Sequence, residues 1–285
     1  MLNAMTAHAK KEYPLVSVLF VTYKRVHLLQ RAFDSFGQNT DYPNLELVVT
    51  DDGSPAAVQE QIRGMAFDKF VLAPKNRGMG ANANAGLAAC SGKYILFLQD
   101  DWECKGPARY LRDTVAIMEA NPRVAIVKYY GKQHSPDGGP LPGATESCFT
   151  IRPGEPPGPE GFCIYSDTPH LKSRASLNDL GLYREGCGME QCELDYDTRF
   201  STQNGYAAAF FPEYYNRAFL HIGVEESFRT SSLGHRVHSL LAGLAAPVKE
   251  ACPALYEAGS RCYRRLGGFS QSRNTGKKRP GRSRC

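Results

Sequence analysis

Residues 94–102 of the sequence read "YILFLQDDW". Five apolar residues, Tyr94 to Leu98, are followed by Gln99 and by two adjacent carboxylates, Asp100 and Asp101. An uninterrupted apolar run of this length predicts a strand that is buried on both faces. Two adjacent carboxylates at the end of such a strand repel each other and are costly to dehydrate, so a compensating positive charge is expected beside them.

The first hundred residues alternate short apolar runs with helical stretches, which predicts a parallel sheet with crossover helices on its faces. The predicted strands are LVSVLFVTY (15–23), LELVVTDD (45–52), FDKFVLA (67–73) and KYILFLQDD (93–101), and the predicted helices are 26–38, 56–65 and 79–91. In an open sheet of this kind, ligands bind beyond the carboxyl ends of the strands. The polar ends of three strands, at 22–25, 51–54 and 99–101, are therefore expected to meet.

The second half of the chain is less regular. A further strand is predicted at 123–130, after a helix that follows residue 106. Residues 131–162 contain seven Pro and seven Gly, and only 147–152 within them has a strand pattern. This segment is predicted to be a functional flap, a hairpin with long ends or a tolerated surface insertion. The remaining predicted elements are helices at 173–181 and 188–199 and strands at 205–211 and 217–222.

The charge of the chain is concentrated at one end. The formal net charge is +5, yet residues 261–285 carry nine Lys or Arg and no Asp or Glu. Such a composition predicts a disordered tail. The alternative is that the tail is attracted to an anionic membrane. No nucleic-acid partner is expected. No apolar run is long enough for a membrane span or a secretory signal. A cytoplasmic location is therefore expected, with peripheral binding to the inner membrane face as the alternative.

Hard oxygen ligands at a strand end suit Mg²⁺ or Mn²⁺, which accept one or two protein carboxylates and fill the other positions with water and phosphate oxygens. Asp51 and Asp52 have two interpretations: hydrogen bonds to a ribose or base, or a turn in which Gly53 takes a positive φ. The segment 76–86 places glycines where a helix begins, which suits close approach to a phosphate. It lacks the P-loop and dinucleotide-binding spacings, so neither an ATPase nor a dehydrogenase is supported.

Three of these segments, VSVLFVTYKR, LELVVTDDGS and NRGMGANANAGLAACSGKYILFLQDD, resemble in their order and spacing the nucleotide-sugar half of family 2 glycosyltransferases. The resemblance implies an α/β protein with the GT-A fold: a Rossmann-like, mostly parallel sheet with helices on both faces and a smaller acceptor-side α+β portion. The expected divisions are an N-terminal extension (1–13), the GT-A domain (14–232, with halves 14–130 and 131–232), a helical extension (233–260) and the basic tail (261–285).

By that resemblance, Thr22, Tyr23 and Asp52 contact the nucleoside, and Asp101 and His221 bind a divalent cation, Mn²⁺ or Mg²⁺. Gln99 stands where the family's DxD motif has its first carboxylate. Further residues are expected to contact the nucleotide sugar: Arg25, Arg77 and Asn84. Asp100 is expected to contact the ribose of the nucleotide sugar or to bind the metal through water.

The family's acceptor half carries a Glu-Asp pair at the start of a helix, one member of which deprotonates the acceptor hydroxyl. Glu190 matches best, Gln191 replaces the expected Asp, and Glu193 is the reserve. The implied function is inverting transfer from a UDP-, GDP- or dTDP-sugar to a hydroxyl of a glycan, a lipid-linked intermediate or a small molecule. The expected setting is cell-surface polysaccharide or glycolipid synthesis. The alternatives are a non-catalytic nucleotide-sugar-binding protein and, less favoured, a sugar-nucleotide pyrophosphorylase, whose first-loop signature is missing from TYKRVH.

Overall fold

A computed structural model of the chain describes residues 13–131, 149–151, 165–202 and 205–223. The described residues belong to one compact unit, Met1–Gly223. The expectations for the N-terminal extension, for most of the Pro/Gly-rich segment, for the helical extension and for the basic tail lie outside the described residues.

An eight-stranded sheet forms the centre of the described structure. Its strands are β1 (Val16–Thr22), β2 (Leu45–Asp51), β3 (Lys69–Leu72), β4 (Tyr94–Gln99), β6 (Val124–Lys128), β7 (Phe149–Ile151), β8 (His170–Ser173) and β9 (Ala207–Phe210). The order across the sheet is β3-β2-β1-β4-β8-β6-β9-β7, and only β8 and β7 run against the others. Two short strands, β5 (Trp102–Cys104) and β10 (Phe219–His221), pair antiparallel in a separate ribbon. The predicted mostly parallel sheet is confirmed.

Helices cover both faces of the sheet, also as predicted. They are α1 (Val26–Asn39), α2 (Ala56–Arg63), α3 (Met79–Ala89), α4 (Tyr110–Ala120), α5 (Arg174–Leu180) and α6 (Met189–Thr202). Successive residues of a strand point to opposite faces. Accordingly, Phe20 of β1 packs with α1, α2 and α4, whereas its neighbour Leu19 packs with α3, α5 and α6. Among the described residues, no helix has the length and apolar character needed to cross a membrane.

Two strands that shape the site were not predicted. β8 has the sequence HLKS, which lacks an apolar run, yet it lies between β4 and β6 with Lys172 fully buried. β5 has only three residues and follows β4 after the two aspartates. Their strand character depends on partners that are distant in the sequence, so local patterning does not reveal it.

Candidate active site

The polar ends of three strands meet at one edge of the sheet, as predicted. β1 lies between β2 and β4, with Thr22 opposite Asp51 and Val21 opposite Gln99. The backbone N–H of Asp100 donates to the carbonyl of Val21, 3.0 Å away. Parallel pairing in this register therefore places the aspartates that follow β2 and β4 on either side of the end of β1.

Asp100 is enclosed by protein. Its side chain is fully buried and accepts a 2.7 Å hydrogen bond from the Thr22 hydroxyl. Burial raises the pKa of Asp100 to about 6; the neighbouring Asp101 also raises it, whereas Arg25 and Thr22 oppose the shift. The Asp100 carboxylate thus lies inside the protein, against Thr22 at the carboxyl end of β1.

Arg25 lies between the two carboxylates of the dyad Asp100–Asp101. Its Nη2 donates to Asp100 Oδ1, and its Nη1 lies 2.9 Å from Asp101 Oδ2. The guanidinium is largely buried, and although burial opposes its charge, the two aspartates raise the pKa of Arg25. Arg25 therefore supplies part of the positive charge that was expected beside the two adjacent carboxylates. Its predicted contact with a nucleotide sugar stays a prediction.

Asp101 is bonded less completely than Asp100. Its Oδ2 faces Arg25 and also lies 3.5 Å from His221 Nε2. Burial favours the protonated form, but the hydrogen bond with His221 and the charge of Arg25 outweigh it and lower the pKa of Asp101. The other oxygen, Oδ1, is buried and has no hydrogen-bond partner among the residues that the structure describes. A buried carboxylate oxygen without a partner is unusual, because it forfeits its solvation.

His221 is brought to Asp101 by the ribbon of β5 and β10. In this ribbon His221 pairs with Trp102, and their ring centroids are 4.7 Å apart. The N–H of Ile222 donates to the Asp101 carbonyl at 2.9 Å. A Cβ on Gly223 would lie 2.5 Å from Asp101 Cβ, so only glycine permits this close approach. The segment 221–223 thereby packs around Asp101, although it is more than one hundred residues away in the sequence.

These side chains fit a divalent cation with few protein ligands. Asp101 offers a hard carboxylate oxygen without a hydrogen bond, and the His221 imidazole lies beside the same carboxylate. Within the described ranges, no group of three or more His, Cys, Asp or Glu side chains is arranged to hold a metal ion. Mg²⁺ and Mn²⁺ commonly use one or two protein ligands together with water and substrate phosphates, so two are sufficient.

The two aspartates after β2 have different partners. Asp51 accepts from the N–H of Ser54 at 2.8 Å, and Gly53 has a φ of +75°, which is the turn geometry considered for this segment. Asp52 instead accepts from the Asn76 side chain (2.7 Å) and from the N–H groups of Arg77 and Gly78 (2.8 and 3.0 Å). Its carboxylate therefore lies at the N-terminus of α3, where negative charge is favoured. Its contact with a nucleoside stays a prediction.

Of the remaining residues predicted for the nucleotide sugar, three lie around this edge. Tyr23 is half-buried, with Lys24 Nζ 4.7 Å from its ring centroid. Asn84 is buried in α3, where its amide donates to the Tyr183 carbonyl and to Glu185 Oε1, both at 2.9 Å. Arg77 forms an exposed ion pair with Glu185 at 3.3 Å. Glu185 was not predicted to be near the site, because a single acid in a loop has no distinctive sequence pattern.

The two predicted candidates for the base lie on α6 in different surroundings. Glu190 is exposed in the first turn of the helix. Glu193 is half-buried and accepts a 2.8 Å hydrogen bond from the N–H of Asp167. The first turns of α6 and α3 are adjacent, since a Cβ on Gly80 would lie 3.2 Å from Cys192 Sγ. Glu190 is thus carried on an element that borders the nucleotide-side helix.

Comparisons with known proteins agree with this geometry. The model of the family described as "Glycosyl transferase family 2" matches residues 17–169, more than half of the chain. A GalNAc(5)-diNAcBac-PP-undecaprenol beta-1,3-glucosyltransferase from Campylobacter jejuni is 34% identical over 95 residues, which cover 32% of this chain and 30% of that protein. The putative glycosyltransferase EpsH from Bacillus subtilis is 32% identical over 95 residues, covering 32% and 27%. The match thus spans less than a third of either relative.

Solved structures show the same fold. The mannosyltransferase PcManGT from Pyrobaculum calidifontis, in complex with GDP-Man and Mn²⁺, has a TM-score of 0.55 at 17% identity, covering 83% of this chain and 65% of that one. Residues 1–349 of S. aureus TarS, in complex with UDP-GlcNAc, have a TM-score of 0.50 at 17% identity, covering 68% and 57%. At this identity the likeness concerns the fold, which is GT-A.

Proposed function

The chain belongs to glycosyl transferase family 2, and from that membership we propose that it transfers a sugar, with inversion, from a nucleotide-sugar donor to an acceptor hydroxyl with the help of a divalent cation. The observation that carries the proposal is the dyad at the end of β4. Asp100 is bonded by Thr22 and Arg25. Asp101, beside His221, has a buried oxygen that no described residue hydrogen-bonds. An unsatisfied carboxylate oxygen at a ligand-binding edge is suited to a cation.

The donor is proposed to be a UDP-, GDP- or dTDP-sugar. Two proteins of the same fold have been solved with GDP-Man and with UDP-GlcNAc, which supports a nucleotide sugar as the donor class. Thr22, Tyr23 and Asp52 surround the ends of β1 and β2 and are the proposed contacts of the nucleoside. Because Asp52 anchors the segment before α3, it would also hold that segment in place while the donor is bound.

Asp101 and His221 are the proposed holders of Mn²⁺ or Mg²⁺. Such an ion, when bound, neutralises charge that builds on a departing diphosphate. Asp100 would keep its neighbour in position through its bonds to Thr22 and Arg25. PcManGT was solved in complex with Mn²⁺, which supports the choice of cation.

Glu190 is the proposed base that accepts the proton of the acceptor hydroxyl. A base needs an accessible carboxylate within hydrogen-bond reach of its substrate. Glu190 is exposed at the start of α6, whereas Glu193 is engaged with the N–H of Asp167. These surroundings favour Glu190 over Glu193. Direct attack by the activated hydroxyl would invert the anomeric carbon.

A lipid-linked glycan is the first acceptor class to test. The name of the Campylobacter relative describes action on an undecaprenol-diphosphate-linked glycan, which supports this choice. Synthesis of a cell-surface polysaccharide or glycolipid, a cytoplasmic location and contact of the 261–285 tail with an anionic membrane belong to the same proposal.

A nucleotide-release assay tests the function. The full chain is incubated with a panel of UDP-, GDP- and dTDP-sugars and with hydroxyl acceptors, each with and without Mn²⁺. We expect release from one nucleotide class, dependent on the cation and increased by an acceptor. Equal release after chelation would contradict the role of the metal.

The Glu190→Gln variant separates transfer from binding. It should retain donor binding and lose acceptor-dependent release, whereas Glu193→Gln should retain measurable transfer. Donor binding without transfer by the unmodified chain, over the whole panel, would instead support a non-catalytic nucleotide-sugar-binding protein.

A further inference from the structure

The Arg25 guanidinium lies beside both carboxylates of the dyad, where it offsets part of their negative charge. Its Nη2 and Nε donate to the two oxygens of Asp100, the latter at 3.4 Å, and its Nη1 donates to Asp101 Oδ2 at 2.9 Å. A guanidinium stays protonated at any pH at which the protein is folded. One positive charge is thus permanently shared between two carboxylates.

The two oxygens of Asp101 are consequently unequal. Oδ1 is buried without a hydrogen bond, while Oδ2 is engaged by Arg25 and lies 3.5 Å from His221 Nε2. A cation bound between Asp101 and His221 would meet the same carboxylate that Arg25 already holds. We propose that Arg25 is a built-in counter-ion that competes with the divalent cation for Asp101 and thereby weakens cation binding in the absence of donor. This inference rests on the proposed metal site.

Electrostatics gives the competition its direction. A divalent cation and a guanidinium that share one carboxylate repel each other, and partial burial reduces the screening between them. Removal of the guanidinium charge lifts this repulsion and releases Oδ2 for the metal. The same removal leaves Asp100 buried beside Asp101 without its ion-pair partner, which destabilises the folded chain. Loss of Arg25 should therefore strengthen metal binding while weakening the fold.

This opposition distinguishes competition from a structural role. If Arg25 served only to position Asp101, its loss would lower stability and cation affinity together. A donor diphosphate brings negative charge to the same edge and would offset the repulsion, so binding of cation and donor would be coupled. In this proposal, Arg25 makes uptake of the cation depend on the presence of the donor.

The test measures Mn²⁺ binding to the full chain without donor, by the electron paramagnetic resonance signal of free Mn²⁺. Arg25→Gln keeps a hydrogen-bond donor and removes the charge, and its dissociation constant for Mn²⁺ should fall at least about fivefold. The matched control is Arg31→Gln, which makes the same charge change within α1, the helix that begins directly after Arg25. Arg31 pairs with Glu103 at 2.7 Å, and its own side chain is exposed. This control should leave the constant within about twofold of the unmodified chain.

An unchanged or higher constant for Arg25→Gln would overturn the inference. If that variant does not fold, as judged by circular dichroism, Arg25→Lys replaces it: the ammonium keeps the charge but loses the fork that bridges both carboxylates. Its constant should then lie below that of the unmodified chain, and an equal or higher one would overturn the inference. Absence of Mn²⁺ binding in every variant would overturn the proposed metal site together with it, whereas normal binding that is insensitive to Arg25 would overturn this inference alone.

Discussion

Two adjacent residues of identical chemistry, Asp100 and Asp101, have different neighbours in this protein. The Asp100 carboxylate is fully buried against Thr22 and Arg25, and burial raises its pKa to about 6. Asp101 faces His221 and keeps one oxygen without a hydrogen bond. The sequence favoured Asp101 as the metal ligand through the family resemblance, and the contacts of the two side chains give that choice a physical basis.

Asp101→Asn is the residue-scale test of that assignment. The amide has the same shape as the carboxylate but no charge, so a cation would lose its hard anionic ligand. Nucleotide release should fall by at least about 100-fold, because metal stabilisation of a leaving group contributes several kcal/mol. The control is Asp34→Asn on α1, whose exposed carboxylate accepts a 2.9 Å hydrogen bond from Gln30. A rate equal to that of the unmodified chain would contradict the assignment of Asp101 to the metal.

Among the elements of the fold, the close contact between α3 and α6 depends on one glycine, Gly80. A Cβ on Gly80 in α3 would lie 2.3 Å from the Arg184 carbonyl oxygen and 3.2 Å from Cys192 Sγ of α6. The first of these neighbours is backbone, which cannot rotate away. The absence of a side chain at position 80 therefore permits α3 to pack directly against the segment that carries Glu190.

Gly80→Ala should consequently destabilise the protein, although alanine is the better helix former. Crowding at a closely packed contact costs about 1–3 kcal/mol, and urea unfolding would measure it. The matched control is Gly37→Ala in α1, where nothing lies within 4 Å of the added Cβ. That variant should be stabilised by up to about 1 kcal/mol. Equal stability of the two variants would show that the contact between α3 and α6 is looser than the structure has it.

The elements also show how far local patterning reaches. β1, β2 and β4 were predicted within one or two residues, because strands buried on both faces have continuous apolar runs. β8 was missed, since HLKS has neither an apolar run nor a regular alternation. Its strand character comes from pairing with β4 and β6, which are separated from it by 40 residues or more. Pairing of this kind is a property of the assembled sheet.

The stability of the molecule as a whole depends on a lysine, Lys172, whose side chain is buried in the core. Lys172 Nζ lies 4.8 Å from the ring centroid of Tyr183 and donates a 2.7 Å hydrogen bond to its hydroxyl. The rings of Phe97, Tyr165 and Tyr196 lie within 5.2 Å. Burial lowers the pKa of Lys172 from 10.5 to about 7, and Asp167 only partly opposes the shift. The folded state therefore favours the neutral amine.

This burial predicts a pH dependence of stability. Between pH 7 and 10.5 the unfolded chain holds a proton on Lys172 that the folded chain releases, so the free energy of unfolding should rise with pH. The contribution is at most about 1.4 kcal/mol per pH unit. Burial raises the pKa of the Cys192 thiol to about 12, which opposes the rise once unfolded thiols ionise, so the window for measurement is about pH 7.5–8.5.

Urea unfolding at several pH values in this window would measure the rise. Lys172→Met should remove it, because the thioether fills the same volume without a titrating group. Lys93→Met, at an exposed lysine that pairs with Glu119, should keep the pH dependence of the unmodified chain. A pH dependence that persists in Lys172→Met would assign the rise to other groups.

Local sequence patterns were enough to predict the α/β class, the positions of β1, β2 and β4, and the edge at which the aspartates collect. Those features follow from local apolar runs and from the rule that parallel strands end together. The folded structure was needed to show that Arg25 bridges the dyad and that Asp52 anchors the segment before α3. It also shows that the β5 and β10 ribbon is what brings His221 to Asp101, two residues that the family resemblance had already paired. These contacts join residues that are 24 to 120 positions apart, and side-chain pairing over such separations is fixed by packing and charge in the folded chain.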